Sequence, residues 1–217
     1  TTIAATQAAA DLPGTVGALV VVPYYVRPSE AGIVEHYKAV AAASSIPIVL
    51  YNIPARSGRG LGTASLLELA NTPNIAGVKQ AVGSLDHSTL EVLAESPAGF
   101  SVLGGDDSFH FPTVCMGGVG AICASAHVAT ERWVAMIECG LAGKLEDGRV
   151  HAEALLPIVA AGFAEPNPAV FKGALHAQGR IASPNVRLPQ MNASPASVDA
   201  FICGSRTFGD AMRPCAC

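Results

Sequence analysis

No run of five like charges occurs in this sequence, and a formal net charge of −4 leaves no basic stripe to track a phosphate backbone. A nucleic-acid interface is excluded on those electrostatic grounds. Long apolar runs are missing as well: "GALVVVPYYV" and "EALLPIVAAGFA" fall short of the roughly 18 to 20 residues that span a bilayer. No basic-then-apolar leader opens the chain, so a soluble, cytoplasmic protein with no membrane contact is expected. Paired cysteines are absent too. Cys115, Cys123, Cys139, Cys203, Cys215 and Cys217 are scattered, with no C-x-x-C and no histidine at zinc-ligand spacing, so reduced thiols and no metal site are expected. Charge is scarce, at 14% of residues, while half are hydrophobic; helices of such a chain must pack over much of their surface.

What the sequence does have is alternation. Short β-branched runs, "GALVVVP" (17–23), "IPIVLYN" (46–52), "NIAGVKQ" (74–80), "FSVLGG" (100–105) and "GAICASA" (120–126), read as strands buried on both faces. Helix signals lie between them. Ser29 caps a stretch that sets Ile33, Val34, Tyr37, Val40 and Ala41 on one face, and Thr63 caps "ASLLELA" before Asn71 and Pro73 stop it. Buried strands one helix apart must run parallel, because a right-handed crossover is the connection such spacing allows. An open nucleotide-binding sheet should carry G-x-G-x-x-G after its first strand. "VVPYYVRPSEAG" has none, and "GGVGAI" leads into a strand, so a barrel is favoured.

An eight-stranded barrel takes about 250 residues, and here five strands precede a wholly helical remainder, while residues 1–12 read as a helix already under way. The expectation is an α/β (β/α)8 TIM barrel, N-terminally incomplete, over residues 1–140. A C-terminal helical segment follows over 141–217, with an atypical tail from about 202, "GSRTFGDAMRPCAC" at its end. Val20, Val22 and Gly77 are expected on the barrel's interior face.

Barrel chemistry sits at the carboxyl ends of the strands. Tyr24 and Tyr25 end the first run, Tyr51 and Asn52 the second, Lys79 the third, Gly104 to Asp107 the fourth, and Ser125 with His127 the fifth. If Ala76 and Val78 pack outward, Gly77 and Lys79 point inward. Burial disfavours an ammonium, and a neutral amine attacks carbonyls. Tyr51, at the matching place on the preceding strand, supplies a phenol able to pass protons to and from a carbinolamine. Arg56, in the loop beyond it, has the planar fork that holds a carboxylate. Asp106 and Asp107 read as a helix-capping pair. His36, His87, His110, His127 and His151 show no carboxylate or i, i+4 arrangement for a metal and read as surface or satisfied core.

"VVPYYVRPSEAG", "VLYNIPARSG", "GVKQAVGSLD", "VLGGDDSFHFP", "GGVGAICASAHV" and "AEPNPAVFKGAL" resemble, in order and at near-constant spacing over residues 1–200, the dihydrodipicolinate synthase family of pyruvate-dependent class I aldolases. The resemblance implies that Lys79 forms a Schiff base with pyruvate and that Tyr51 relays its protons. It implies that Tyr25 is a relay tyrosine donated across a tight dimer interface and that Tyr24 is an interface residue. Arg56 would recognise the aldehyde's carboxylate, and Gly105 and Ile122 would line the pyruvate pocket. The implied reaction is lyase chemistry without a cofactor, joining pyruvate to aspartate semialdehyde in a homo-oligomer, a dimer of dimers. N-acetylneuraminate lyase and the 2-keto-3-deoxy sugar acid aldolases share the lysine and tyrosine; Arg56 and "PYYVRPSEAG" favour the first reading. A non-catalytic paralogue is the remaining alternative. The family's Gly-Thr-Thr-Gly-Glu segment has no counterpart here.

Overall fold

The structure is a computed structural model that describes residues 1–206. Two compact units follow one another, the first Thr1–Ile122 and the second beginning at Cys123. In the first, α1 (Thr2–Ala10) leads to β1 (Ala18–Val21), α2 (Glu30–Ala43), β2 (Ile48–Asn52), the single turn α3 (Pro54–Ser57), α4 (Thr63–Ala70) and β3 (Ile75–Gln80). Next come α5 (His87–Glu95), β4 (Ser101–Gly104), a 3-10 turn at Asp107–Phe109, α6 (His110–Cys115) and β5 (Gly120–Ala121). The five strands are all parallel and lie in chain order, β1-β2-β3-β4-β5. This is the sheet of an incomplete α/β barrel, as the alternation predicts.

Register divides the side chains into two faces. Val20, Leu50, Val78 and Val102 lie in one row on the helix side, where they join Ile33, Tyr37, Val40, Leu66 and Leu69 in one buried cluster. Val20 and Val22 therefore belong to the helix-packed core and not to the interior face. The interior row is Val21, Tyr51, Lys79 and Leu103, all only half-buried, and Leu19 on the same face is 44% exposed. The expectation that every strand is buried on both faces fails on this side. Among the described residues no second wall packs against it. Gly77 is on that face as expected, and its smallness lets β4 approach, because a Cβ there would overlap the Ser101 carbonyl.

Ser29 caps α2, accepting from the Gly32 N–H at 3.2 Å, and the five expected residues are its buried face. Tyr37 is wholly buried because its hydroxyl donates to the Val20 carbonyl at 2.9 Å. Thr63 does not cap α4. It is the first helical residue, after Gly62, and its hydroxyl donates instead to Glu91 of α5 at 2.6 Å. The fifth strand is only two residues long; Ser125 and Ala126, expected within it, belong with His127 to a 3-10 turn.

The second unit is helical: α7 (Thr130–Leu141), α8 (Leu145–Gly162), α9 (Ala169–Ala177) and α10 (Pro195–Arg206). Phe171 stands edge-on to both Phe163 and Phe201, at 5.3 and 5.6 Å between ring centres. Gly162 lets α8 approach them, because a Cβ there would meet the Phe171 ring. No disulfide forms among the described residues. Cys215 and Cys217, with the tail from residue 207 on, lie outside them.

Candidate active site

Parallel pairing sets Tyr51 directly beside Lys79, and the Lys79 Nζ lies 4.2 Å from the centre of the Tyr51 ring. The two strands position these groups by the same means. β2 is driven into place by Ile48 and Leu50, each 0% exposed, and β3 by Val78, also 0% exposed; alternation then turns Tyr51 and Lys79 to the opposite face. Lys79 is half-buried rather than enclosed, a correction to the interior amine read from the sequence.

Main-chain pairing continues past the strand ends. The Val22 N–H donates to the Tyr51 carbonyl (3.1 Å), Ala81 to Asn52 (2.9 Å), Gly105 to Gln80 (2.8 Å) and Ile122 to Gly104 (2.9 Å). Gly105 thus sits one residue beyond the ladder, pressed so close to Gln80 and Ala81 that a Cβ would come within 2.6 Å of the Ala81 methyl. Ile122 is 38% exposed, at the end of the last strand. Arg56 rides on α3 with its side chain exposed. Its turn closes at Gly58, whose φ of 71° suits glycine and whose carbonyl accepts from Arg27 Nε at 3.1 Å. Tyr24 and Tyr25 stand in solvent, 66% and 91% exposed, and Tyr25 holds a left-handed φ of 71°.

Behind the pair, on the helix side, lies a polar layer of which the strand reading named Asn52, without a role, and left out Gln80. Asn52 and Gln80 are 0% and 6% exposed and form a register pair; Asn52 Nδ2 donates to Gln80 Oε1 at 2.9 Å. Gln80 Nε2 donates to Thr89 Oγ1 (3.2 Å), whose hydroxyl donates to Asp86 (2.6 Å). Period-2 alternation alone could have found them, since each follows a candidate by one residue and must face the other way.

His110 fills the space that Gly104 leaves without a Cβ. It is wholly buried and lies 3.9 Å from Asp107. Burial, with the charge of Lys79 second, pushes its pKa down to about 4, so this histidine is neutral at pH 7. His87 forms an i, i+4 pair with Glu91 at 3.2 Å; carboxylate partners thus exist for two histidines that the sequence spacing had left without one. Asp106 does stand at the cap position of the turn 107–109, yet its carboxylate accepts from the Gly83 N–H at 2.7 Å and makes no cap bond.

An amine and a phenol side by side at the carboxyl ends of adjacent parallel strands, with helices packed on the far face, mark a segment of a TIM-type α/β barrel presenting its reactive face. The model of the dihydrodipicolinate synthetase family matches residues 1–201, and the chain belongs to that family. It is 44% identical over 185 residues to 4-hydroxy-tetrahydrodipicolinate synthase of Moorella thermoacetica, covering 85% of this chain and 63% of that one. The chain therefore spans just under two thirds of that relative's length. Among solved structures, dihydrodipicolinate synthase of Aquifex aeolicus superposes with a TM-score of 0.90 at 31% identity, over 96% of this chain and 71% of the other. The chloride-inhibited Acinetobacter baumannii enzyme, complexed with pyruvate, gives 0.89 at 30% identity, over 94% and 69%. No helix among the described residues is long and apolar enough to cross a membrane.

Proposed function

We propose that this chain carries the Schiff-base centre of a carbon–carbon lyase that condenses pyruvate with aspartate semialdehyde to 4-hydroxy-tetrahydrodipicolinate, in lysine and diaminopimelate biosynthesis. The observation that carries this is the Lys79 amine held 4.2 Å over the Tyr51 ring. In that arrangement the free amine adds to the C2 carbonyl of pyruvate, the carbinolamine loses water to give the imine, and a C3 proton leaves to give the enamine. The enamine carbon attacks the aldehyde. The amino group of the joined semialdehyde then attacks the lysine imine carbon, closing the ring as a cyclic imine and expelling the Lys79 amine. Tyr51, beside the amine, passes the protons; Tyr25, extended into solvent, supplies the second phenol across a subunit interface in a cytoplasmic homo-oligomer. Arg56, exposed beyond Tyr51, takes the aldehyde's carboxylate in its fork, which favours aspartate semialdehyde over a neutral sugar-derived aldehyde. Gly105 and Ile122 line the pyruvate side.

Borohydride reduction in the presence of pyruvate tests the reading. A reduced pyruvyl adduct at Lys79, mapped by mass spectrometry, is expected. An adduct at Lys38, Lys144 or Lys172 instead, or none, overturns it.

A further inference from the structure

We propose that Asn52 and Gln80 are positioning residues for Lys79 and Tyr51. Their joined amides, on the opposite face of the sheet, hold the carboxyl ends of β2 and β3 in the register that keeps the amine over the phenol ring. The inference rests on the role given above to that pair.

The register pairs of the two strands run to Asn52 and Gln80, one residue past Tyr51 and Lys79, with one further main-chain bond from the Ala81 N–H to the Asn52 carbonyl. The interior face offers these strand ends little support, because Tyr51 and Lys79 are themselves half-buried. Main-chain bonds hold the ends within the sheet; side-chain support comes from the helix side, and there the amides form a single connected set. The Leu61 N–H can only donate, and it donates to Asn52 Oδ1 at 3.0 Å. That forces Nδ2 toward the Leu61 carbonyl (3.1 Å) and Gln80 Oε1 (2.9 Å), and so turns Gln80 Nε2 to Thr89 Oγ1 at 3.2 Å. The orientation of both amides follows from one backbone donor, so no flipped arrangement satisfies the same atoms. Asn52 spends both its amide hydrogens, and Gly60 leaves room for its oxygen, since a Cβ there would lie 3.1 Å from Oδ1. Buried amides satisfied in this way tolerate displacement poorly. A shift of either strand end breaks the set as well as the stacking of amine on ring.

The two positions differ in what they require. Gln80 must present an acceptor to Asn52 and a donor to Thr89, and a glutamic acid kept neutral by burial does both, its hydroxyl replacing Nε2 while the Thr89 hydrogen stays on Asp86. Asn52 must donate to two acceptors, and an aspartate cannot. Wild type, Q80M, Q80E and N52D are compared by trace labelling of the four lysines with an amine reagent, read by mass spectrometry, and by the rate of pyruvate–borohydride trapping. In Q80M and N52D, Lys79 is expected to label several-fold faster while Lys38, in the same unit, holds its rate. Trapping slows roughly ten- to a hundredfold, the scale of a catalytic group misplaced by about 1 Å. Q80E stays near wild type in both. The inference is overturned if Q80M labels and traps like wild type, if Q80E loses as much as Q80M, or if Lys38 accelerates together with Lys79, which is general loosening of the unit. Should N52D fail to fold, Q80M against Q80E still decides. If wild type traps no pyruvate but Lys79 labelling responds as stated, the proposed reaction falls and the positioning stands.

Discussion

Tyr51 meets Lys79 because two strands in parallel register give their residues the same height and the same face, and the consequence is chemical. Tyr51→Phe keeps the ring under the amine and removes only the proton carrier. Turnover should fall by roughly two to four orders of magnitude with the urea midpoint unmoved; activity within a few-fold of wild type would reduce Tyr51 to packing. His110 makes the opposite kind of contribution, to stability. Its pKa is about 4 when folded against an ordinary value near 6.5, so the unfolded chain takes up the proton first as pH falls. The stability is whole above about 6.5 and is lost progressively toward pH 4, in total on the order of 3 kcal/mol. Urea midpoints measured from pH 7.5 to 4.5 should drop in wild type and flatten in H110Q. An equal acid limb in H110Q would place the effect on other groups. The sequence showed the type of each residue but not this burial, which depends on the Cβ that Gly104 lacks.

At the scale of elements, hydrophobic alternation located every strand, because a strand with helices on one face still carries apolar residues at every second position. It overran the fifth strand, where "CASA" has the small residues of a strand but the strand ends at Ala121 and its last bond to β4 is that of the Ile122 N–H. It misjudged Thr63, whose hydroxyl has a neighbour on another helix to bond and no longer serves its own. The junction of β3 and β4 is tighter than composition suggests. Gly105→Ala would thrust a methyl within 2.7 Å of the Gln80 carbonyl, and overpacking against backbone costs roughly 1–3 kcal/mol. A lowered urea midpoint is expected, together with slower pyruvate trapping, since the same shift moves the end of β3. An unchanged midpoint would mean that the loop yields freely.

For the whole molecule the open sheet is the decisive feature. Among the described residues β1 and β5 are unpaired on their outer sides, and a groove of about 790 Å3 runs along β1, lined by Ala5, Ala9, Leu19, Val21 and Tyr24 among others. Unpaired N–H and C=O groups beside apolar side chains recruit further chains. The 217-residue chain is accordingly expected to elute by light scattering well above its 22.0 kDa, and Leu19→Lys, on the exposed interior face, to reduce that association while helix content stays constant. A monomer at tens of micromolar would show that the edges are covered by other means.

The sequence by itself determined the order of strands and helices, the parallel pairing, and which lysine and tyrosine end adjacent strands, because those follow from local periodicity and from the handedness of crossovers. The tertiary structure decided how much water each group keeps. Lys79 reads as an interior amine by alternation, yet it is half-buried; Val20 and Val22 read as interior, yet they pack under the helices; His110 reads as ordinary, yet it is sealed and neutral. Burial is a property of what lies across from a residue, often far along the chain, and period-2 spacing carries the direction of a side chain but not the presence of the wall it faces.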